Sequence, residues 1–284
     1  MIMVVASIKG APGVTTTATA IASAWPQDRR VLLVEADPFG GDLAAWFGVA
    51  PTTGLWSLLA AGRRGIESDA VWEHATTLPT GLPVLYGLAS ADQAVANEAA
   101  WPAVAEALAA LEADVIIDAG RLLPHFAGGI GPLLSLAKLL VVLCPPTLAG
   151  IFHLKTSLPS LIAGSPSARL IVQPTAEKGF SSDEIASTLT INVAPPVPHD
   201  PKGASAVSRN AIGWAHSKTA LAKWARANAA ELAAALSGPA ATRESLSVPE
   251  IGDQPLRPSV NEHLHDTEHL QNTEHADAPT WATR

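Results

Sequence analysis

The sequence predicts an α/β protein, a doubly wound and mainly parallel sheet with helices on both faces. Two observations predict it, and a third bounds the domain. Short β-branched or Leu-rich runs recur along the chain, each the length of a strand buried on both sides. Ala-rich stretches of helical length lie between them, punctuated by Gly, Pro and Asp114, and such alternation implies right-handed βαβ crossovers. From Ser237 onward the chain turns rich in Pro, Glu, His, Asn and Thr, with too few large apolar residues to offset the entropy of ordering it. Residues 1–236 are therefore expected to form one domain, and 237–284 a disordered acidic tail containing histidines.

In chain order, the first strand is expected at Ile2–Ala6, followed by an Ala-rich helix at Thr15–Ala24 and a second strand at Val31–Val34. Leu82–Tyr86 is the third strand, Trp101–Leu111 the next helix and Val115–Ile117 the strand after it. Leu139–Leu143 reads as a strand, Leu148–Ile162 as a helix, Leu170–Val172 as a strand, Ser181–Leu189 as a helix and Ile191–Val193 as the last strand. A helical pair, Ala204–Trp214 and Ser217–Leu236, closes the domain. Ligands of open α/β sheets bind outside the carboxyl ends of the strands, so the site is sought there.

Composition excludes several classes of function. The 284 residues are 48% hydrophobic, ample for a core. Eighteen basic against 26 acidic residues give a net charge of −8, which argues against a surface that coats nucleic acid or anionic membrane as a whole. Cys144 is the single cysteine; it forms no intramolecular disulfide and reads as a small buried hydrophobe in a reducing compartment. No uninterrupted apolar stretch approaches the roughly 20 residues that span a bilayer, and the first residues lack a basic start and cleavage site. A cytoplasmic protein is expected. In the tail, His263, His265, His269 and His275 fall in a weak repeat whose spacing fits no closed tetrahedral metal site.

The most informative segment is Lys9-Gly10-Ala11-Pro12-Gly13-Val14-Thr15-Thr16, between the first strand and the first helix. Small residues at Gly10, Ala11 and Gly13 let backbone N–H groups turn inward, and the helix after them points its positive end into the same space. An anion site results. Thr15, at the helix start, is placed to ligate Mg²⁺ bound to phosphates. The plainer alternative is a strand-to-helix turn with Thr15 or Thr16 as N-cap.

This segment resembles the deviant Walker A loop of the ParA/MinD-type P-loop ATPases, K-G-G-x-G-K-[TS]-T. The resemblance implies that residues 10–16 cradle the phosphates of ATP. It also implies that Lys9 is the signature lysine that crosses to the partner's nucleotide in a sandwich homodimer. The second lysine of the pattern is absent, and Val14 stands in its slot. An apolar side chain there removes a charge that normally bridges the β- and γ-phosphates.

Two further segments carry the resemblance. Glu35-Ala36-Asp37-Pro38-Phe39-Gly40 is similar to the family's D-x-D-P-x-G, which implies that Glu35 supports the metal's water shell and that Asp37 orients the attacking water. Asp118 closes the apolar run Val115–Ile117 like a Walker B acid that reaches Mg²⁺ through water, but the family's D-x-P-x-G is here Asp118-Ala119-Gly120-Arg121. By the same analogy, Gln173 and Pro198 flank the adenine. The overall pattern is most similar to divergent members, including TadZ/CpaE-like proteins that place pilus and secretion machinery.

Partners are expected locally. Lys202, Arg209, Lys218, Lys223 and Arg226 stand against the single acid Asp200 between positions 200 and 226, a candidate face for non-specific DNA contact or simply a solvated surface. Trp46, Trp56, Trp72 and Trp101 are candidates for an interface or for core packing. The tail has no basic amphipathic helix, so membrane attachment is not expected. The resemblance implies a nucleotide-dependent dimerising switch in intracellular positioning, with weak ATP hydrolysis. The alternative is an inactive adaptor of the same fold that binds protein partners.

Overall fold

Eight strands form one sheet in the computed structural model, which describes residues 1–9, 13–49, 53–63, 65–122, 130–162, 167–173, 179–189 and 191–238. These residues lie within one compact unit, Met1–Val248; the expected tail falls, from 239 on, outside the described residues. The strands are β1 Ile2–Ser7, β2 Val31–Glu35, β3 Thr76–Thr77, β4 Pro83–Leu85, β5 Asp114–Arg121, β6 Leu139–Cys144, β7 Ala168–Val172 and β8 Asn192–Ala194. Their order is β3-β4-β2-β5-β1-β6-β7-β8. Every pairing is parallel except β3 with β4. The two-residue β3 is the one strand the sequence pattern does not foretell.

The helices are α1 Val14–Ser23, α2 Leu43–Phe47, α3 Leu55–Gly62, α4 Ala91–Ala96, α5 Trp101–Ala110, α6 Ile130–Leu136, α7 Leu148–Ile162, α8 Ser182–Leu189, α9 Pro201–Ser208 and α10 Ala220–Ser237. They divide between the two faces of the sheet. Ile2, Val4 and Ala6 pack with Leu58, Val104, Leu108, Leu154 and Ile185, the side of α3, α5, α7 and α8. Met3 and Val5 point the other way, toward Ala18, Ile21, Val207, Leu221 and Leu232 of α1, α9 and α10. Strand alternation thus feeds two cores, which is why β1 is apolar at nearly every position.

The closing helical pair differs from expectation. The first helix ends at Ser208 instead of Trp214, because Asn210 and Gly213 take positive φ (50° and 74°) and the chain resumes in a short 3₁₀ turn at Trp214–His216. Asp200 then joins both helices: its carboxylate accepts from Gly203 N–H at 2.9 Å and from Leu221 N–H at 2.9 Å.

One irregularity bears on the site. Along β1 and β5, Val5 pairs with Asp118 but Ser7 pairs with Arg121, so β5 carries one extra residue there. Gly120, with φ of 54°, absorbs it. Such a bulge bends the strand and re-aims the side chains beyond it.

Candidate functional site

At the carboxyl ends of β1, β2 and β5 a cavity of about 280 Å³ is lined by Gly13, Val14, Thr15 and Thr16 on one side and by Ser7, Asp37 and Gly120 on the other. Asp42, Trp46 and Arg121 complete its wall. Gly13 has φ of 81° and is the N-cap of α1, with no side-chain cap. Neither Thr15 nor Thr16 is therefore spent on capping, contrary to the plainer reading of this turn. The first N–H groups of an α-helix have no partner within it, and in α1 these belong to residues that line the cavity, where an anion would meet them. Gly10, Ala11 and Pro12 lie outside the described residues.

Val14 is buried, 5% exposed, in the cluster formed by Met3, Val5 and Ile21. Its side chain belongs to the core as well as to the wall of the cavity. Lys9 is exposed and is not among the cavity's lining residues.

Asp37 is half-buried, and its Oδ1 accepts from Phe39 N–H at 2.8 Å. Burial pushes its carboxyl above the usual range, with the charge of Asp42 adding to the effect. A Cβ on Gly120 would lie 1.8 Å from Asp37 Oδ2, so the switch-like loop and the end of β5 touch at this point.

Asp118 is fully buried. Its Oδ1 accepts from Gly120 N–H at 3.0 Å, whereas Oδ2 has no hydrogen-bond partner among the described residues. Burial and then the charge of Glu35 push its carboxyl up to about 7, while the Thr15 hydroxyl beside it pulls the other way. A buried carboxylate oxygen without a partner is costly, and a hydrated cation beside Thr15 would satisfy it. Thr15 and Asp118 thus fit Mg²⁺. Among the described residues no group of three or more His, Cys, Asp or Glu side chains could hold a metal unaided. Mg²⁺ is commonly held in this way, by one or two protein groups with phosphate oxygens and water.

Glu35, expected to support a metal's water shell, is held by backbone: its Oε1 accepts from the N–H groups of Asp42 at 2.6 Å and Leu43 at 2.9 Å, and its Oε2 from Gly87 N–H at 2.8 Å. Gly41 and Gly87 leave room for it; a Cβ on Gly41 would meet Oε2 at 2.2 Å. The carboxylate anchors the chain after β2 to the chain after β4. Burial raises its pKa despite the three amides.

Of the residues expected near the base, Gln173 directly follows β7 with its Oε1 buried and without a partner among the described residues, and Pro198 sits half-buried in the segment after β8. Neither lines the cavity around the loop. Lys202, Arg209, Lys218 and Lys223 are exposed. Arg226 is not free in the same way, since its guanidinium donates to the carbonyl oxygens of Ala215 and Ser217. Trp101 is core, at 2% exposure, and Trp72 lies under the Arg30 guanidinium, 4.5 Å from its ring centroid. Trp56 is 43% exposed. No helix among the described residues is long and apolar enough to cross a membrane.

In the sequence Arg121 stands out only as a departure from D-x-P-x-G. Its place on the cavity wall comes from the bulge at Gly120, which no local pattern announces.

No protein-family model matches the sequence, and no curated protein matches it. Solved structures do. The chain is similar to a ParA family ATPase from Chlorobium tepidum TLS, at 18% identity over 81% of this chain and 98% of that one, with a TM-score of 0.68. It is similar to the septum site-determining protein MinD of Pyrococcus horikoshii OT3, complexed with Mg-ADP, at 18% identity over 81% and 95%, with a TM-score of 0.64. A Cyanothece McdA–ATP complex aligns at 16% identity over 82% and 96%, with a TM-score of 0.60. At such identities the likeness establishes architecture, and on that ground the chain has the fold of the ParA/MinD-type P-loop ATPases.

Proposed function

We propose that the protein is an ATP-binding, ParA/MinD-like switch whose nucleotide state controls a homodimer and, through it, a partner in intracellular positioning or partitioning. The observation that carries this reading is the cavity at the start of α1, where Thr15 and Thr16, neither of them a helix cap, meet Asp37 while Asp118 keeps a buried oxygen without a partner among the described residues. The Mg-ADP and ATP bound in the MinD and McdA structures support the choice of ligand.

Backbone N–H groups at the N-terminus of α1 would bind phosphate oxygens, and Thr15 with Asp118 would hold Mg²⁺. Bound there, Mg²⁺ supplies charge neutralisation to the phosphates. Asp37, half-buried at the mouth, would hold the attacking water. Gln173 and Pro198 would flank the base, and the exposed Lys9 would reach the partner subunit's nucleotide. The exposed Lys202, Arg209, Lys218 and Lys223 offer a face for DNA phosphates, to be read as salt-sensitive retention.

Titration calorimetry with Mg-ATP, followed by sizing with and without nucleotide, tests the reading. Saturable binding with a nucleotide-dependent shift from monomer to dimer is expected; absence of binding sinks it. A second reading, an adaptor that binds nucleotide without hydrolysing it, is favoured by the burial of Val14 at the position of the missing ammonium. Turnover that disappears in Asp37→Ala would exclude the adaptor.

A further inference from the structure

The cavity at the start of α1 has an electrostatic deficit. Asp37 and Asp42 line it, Asp118 and Glu35 lie buried behind it, and the side chain at position 14 is an apolar one turned into the core. A polyphosphate entering such a space meets carboxylates on one wall and, among the described residues, backbone N–H groups and the neutral Thr15 and Thr16 on the other, which is repulsive unless a cation stands between. Among the described residues that line the cavity, Arg121 alone is basic. It is exposed, and among the described residues no carboxylate forms an ion pair with it. It reaches that position because β5 carries an extra residue at Gly120, which puts Arg121 opposite Ser7, at the end of β1.

We propose that Arg121 is the phosphate-binding cation of this cavity, supplying from the end of β5 the charge that the loop lacks at Val14. The proposal rests on the reading of the cavity as a nucleotide site. A guanidinium suits the task, since its planar fork binds two phosphate oxygens at once and keeps its charge at every accessible pH. The bulge then has a function: an extra residue in β5 replaces a lysine in the loop.

The test is calorimetric binding of Mg-ATP and Mg-ADP to the full chain, with a thermal melt of each variant without ligand. Arg121→Ala should weaken Mg-ATP binding by about 10- to 100-fold, the loss expected for one charge-assisted contact, and Arg121→Lys by less. Its melt should match that of the parent, because the side chain is exposed; if it does not, Arg121→Gln, which keeps most of the length of the side chain, is read in its place. Adding Val14→Lys to Arg121→Ala should restore affinity, since the charge returns to the same space from the loop. If the parent binds Mg-ATP and Arg121→Ala binds it equally well, the proposal is overturned while the nucleotide reading stands. If the parent binds neither nucleotide, both fall together.

Discussion

Asp37 and Gly120 occupy one another's space: a Cβ at position 120 would sit 1.8 Å from Asp37 Oδ2 and 2.2 Å from its Cγ. The loop after β2 and the end of β5 therefore approach as closely as two backbones and one carboxylate allow. The left-handed φ of Gly120 adds a second reason for glycine. Gly120→Ala should cost about 2–4 kcal/mol in denaturant unfolding, from the clash and the strained φ together. Asp37→Ala in the same chain should recover part of the loss, because it removes the carboxylate and leaves the cost of φ. Equal losses with and without Asp37 would show that the contact does not exist.

The anchoring role of Glu35 makes its own prediction. Three backbone N–H groups converge on this carboxylate from Asp42, Leu43 and Gly87. Glu35→Ala orphans all three in a buried place, at a cost on the order of 3 kcal/mol or more. Glu35→Gln should fall between, since it keeps one acceptor oxygen but turns an NH₂ group toward backbone donors. Hydrogen exchange is the discriminating measurement. Protection should drop selectively at Asp42, Leu43 and Gly87 in Glu35→Gln, whereas a residue concerned only with metal would leave the ligand-free pattern unchanged.

Asp200 should make stability depend on acid. Backbone N–H groups of Leu221 and Gly203 hold its carboxyl below the usual range. A lowered native pKa contributes stability above the unfolded value of about 4 and loses it as pH falls through the native one. Asp200→Asn should therefore flatten the acid limb of the melting-temperature profile below about pH 4. Asp200→Ala should cost about 1–3 kcal/mol near neutrality, because two helix N-termini lose their acceptor at once. An unchanged acid limb in Asp200→Asn would refute the assignment.

Cys144 should be inert in the folded protein. It is 2% exposed, and burial pushes its thiol up to about 12. The thiolate is the reactive form. Alkylation at pH 8 should be slower than that of a small-molecule thiol by several orders of magnitude and should track the opening of β6. Addition of denaturant should bring rapid, stoichiometric labelling. Fast labelling of the native protein would contradict the burial.

The architecture is legible in the sequence because its signals are local. Runs such as Ile2–Ala6 and Leu139–Leu143 are apolar at successive positions, which only a strand covered on both faces explains, and the structure bears this out with two cores. The loop announces itself through Gly13 and the threonines after it. Other elements give no such sign. The five residues of α2 are too few to show a helical period, and β3 is a strand only because β4 lies beside it. The first helix of the closing pair ends early because Asn210 and Gly213 turn the chain, a break that its Ala-rich composition hides.

What the linear order of residues settled about this protein is the sequence of strands and helices, the position of the glycine turn before α1 and the absence of a lysine at Val14. Each depends on neighbours a few positions apart. What only the tertiary structure decided is how the carboxylates are used. Glu35 and Asp118 both close apolar strands, and in sequence they look alike. Folding carries Glu35 to the N–H of Gly87, 52 positions away, and leaves Asp118 buried near the Thr15 hydroxyl, its Oδ2 without a hydrogen-bond partner in bonding geometry among the described residues. Whether a buried acid anchors backbone or keeps an oxygen unpaired among the described residues depends on which strand ends become neighbours, and that is set by the order of the sheet. The same holds for Arg121: one extra residue in β5 puts it on the wall of the cavity that Val14 also lines.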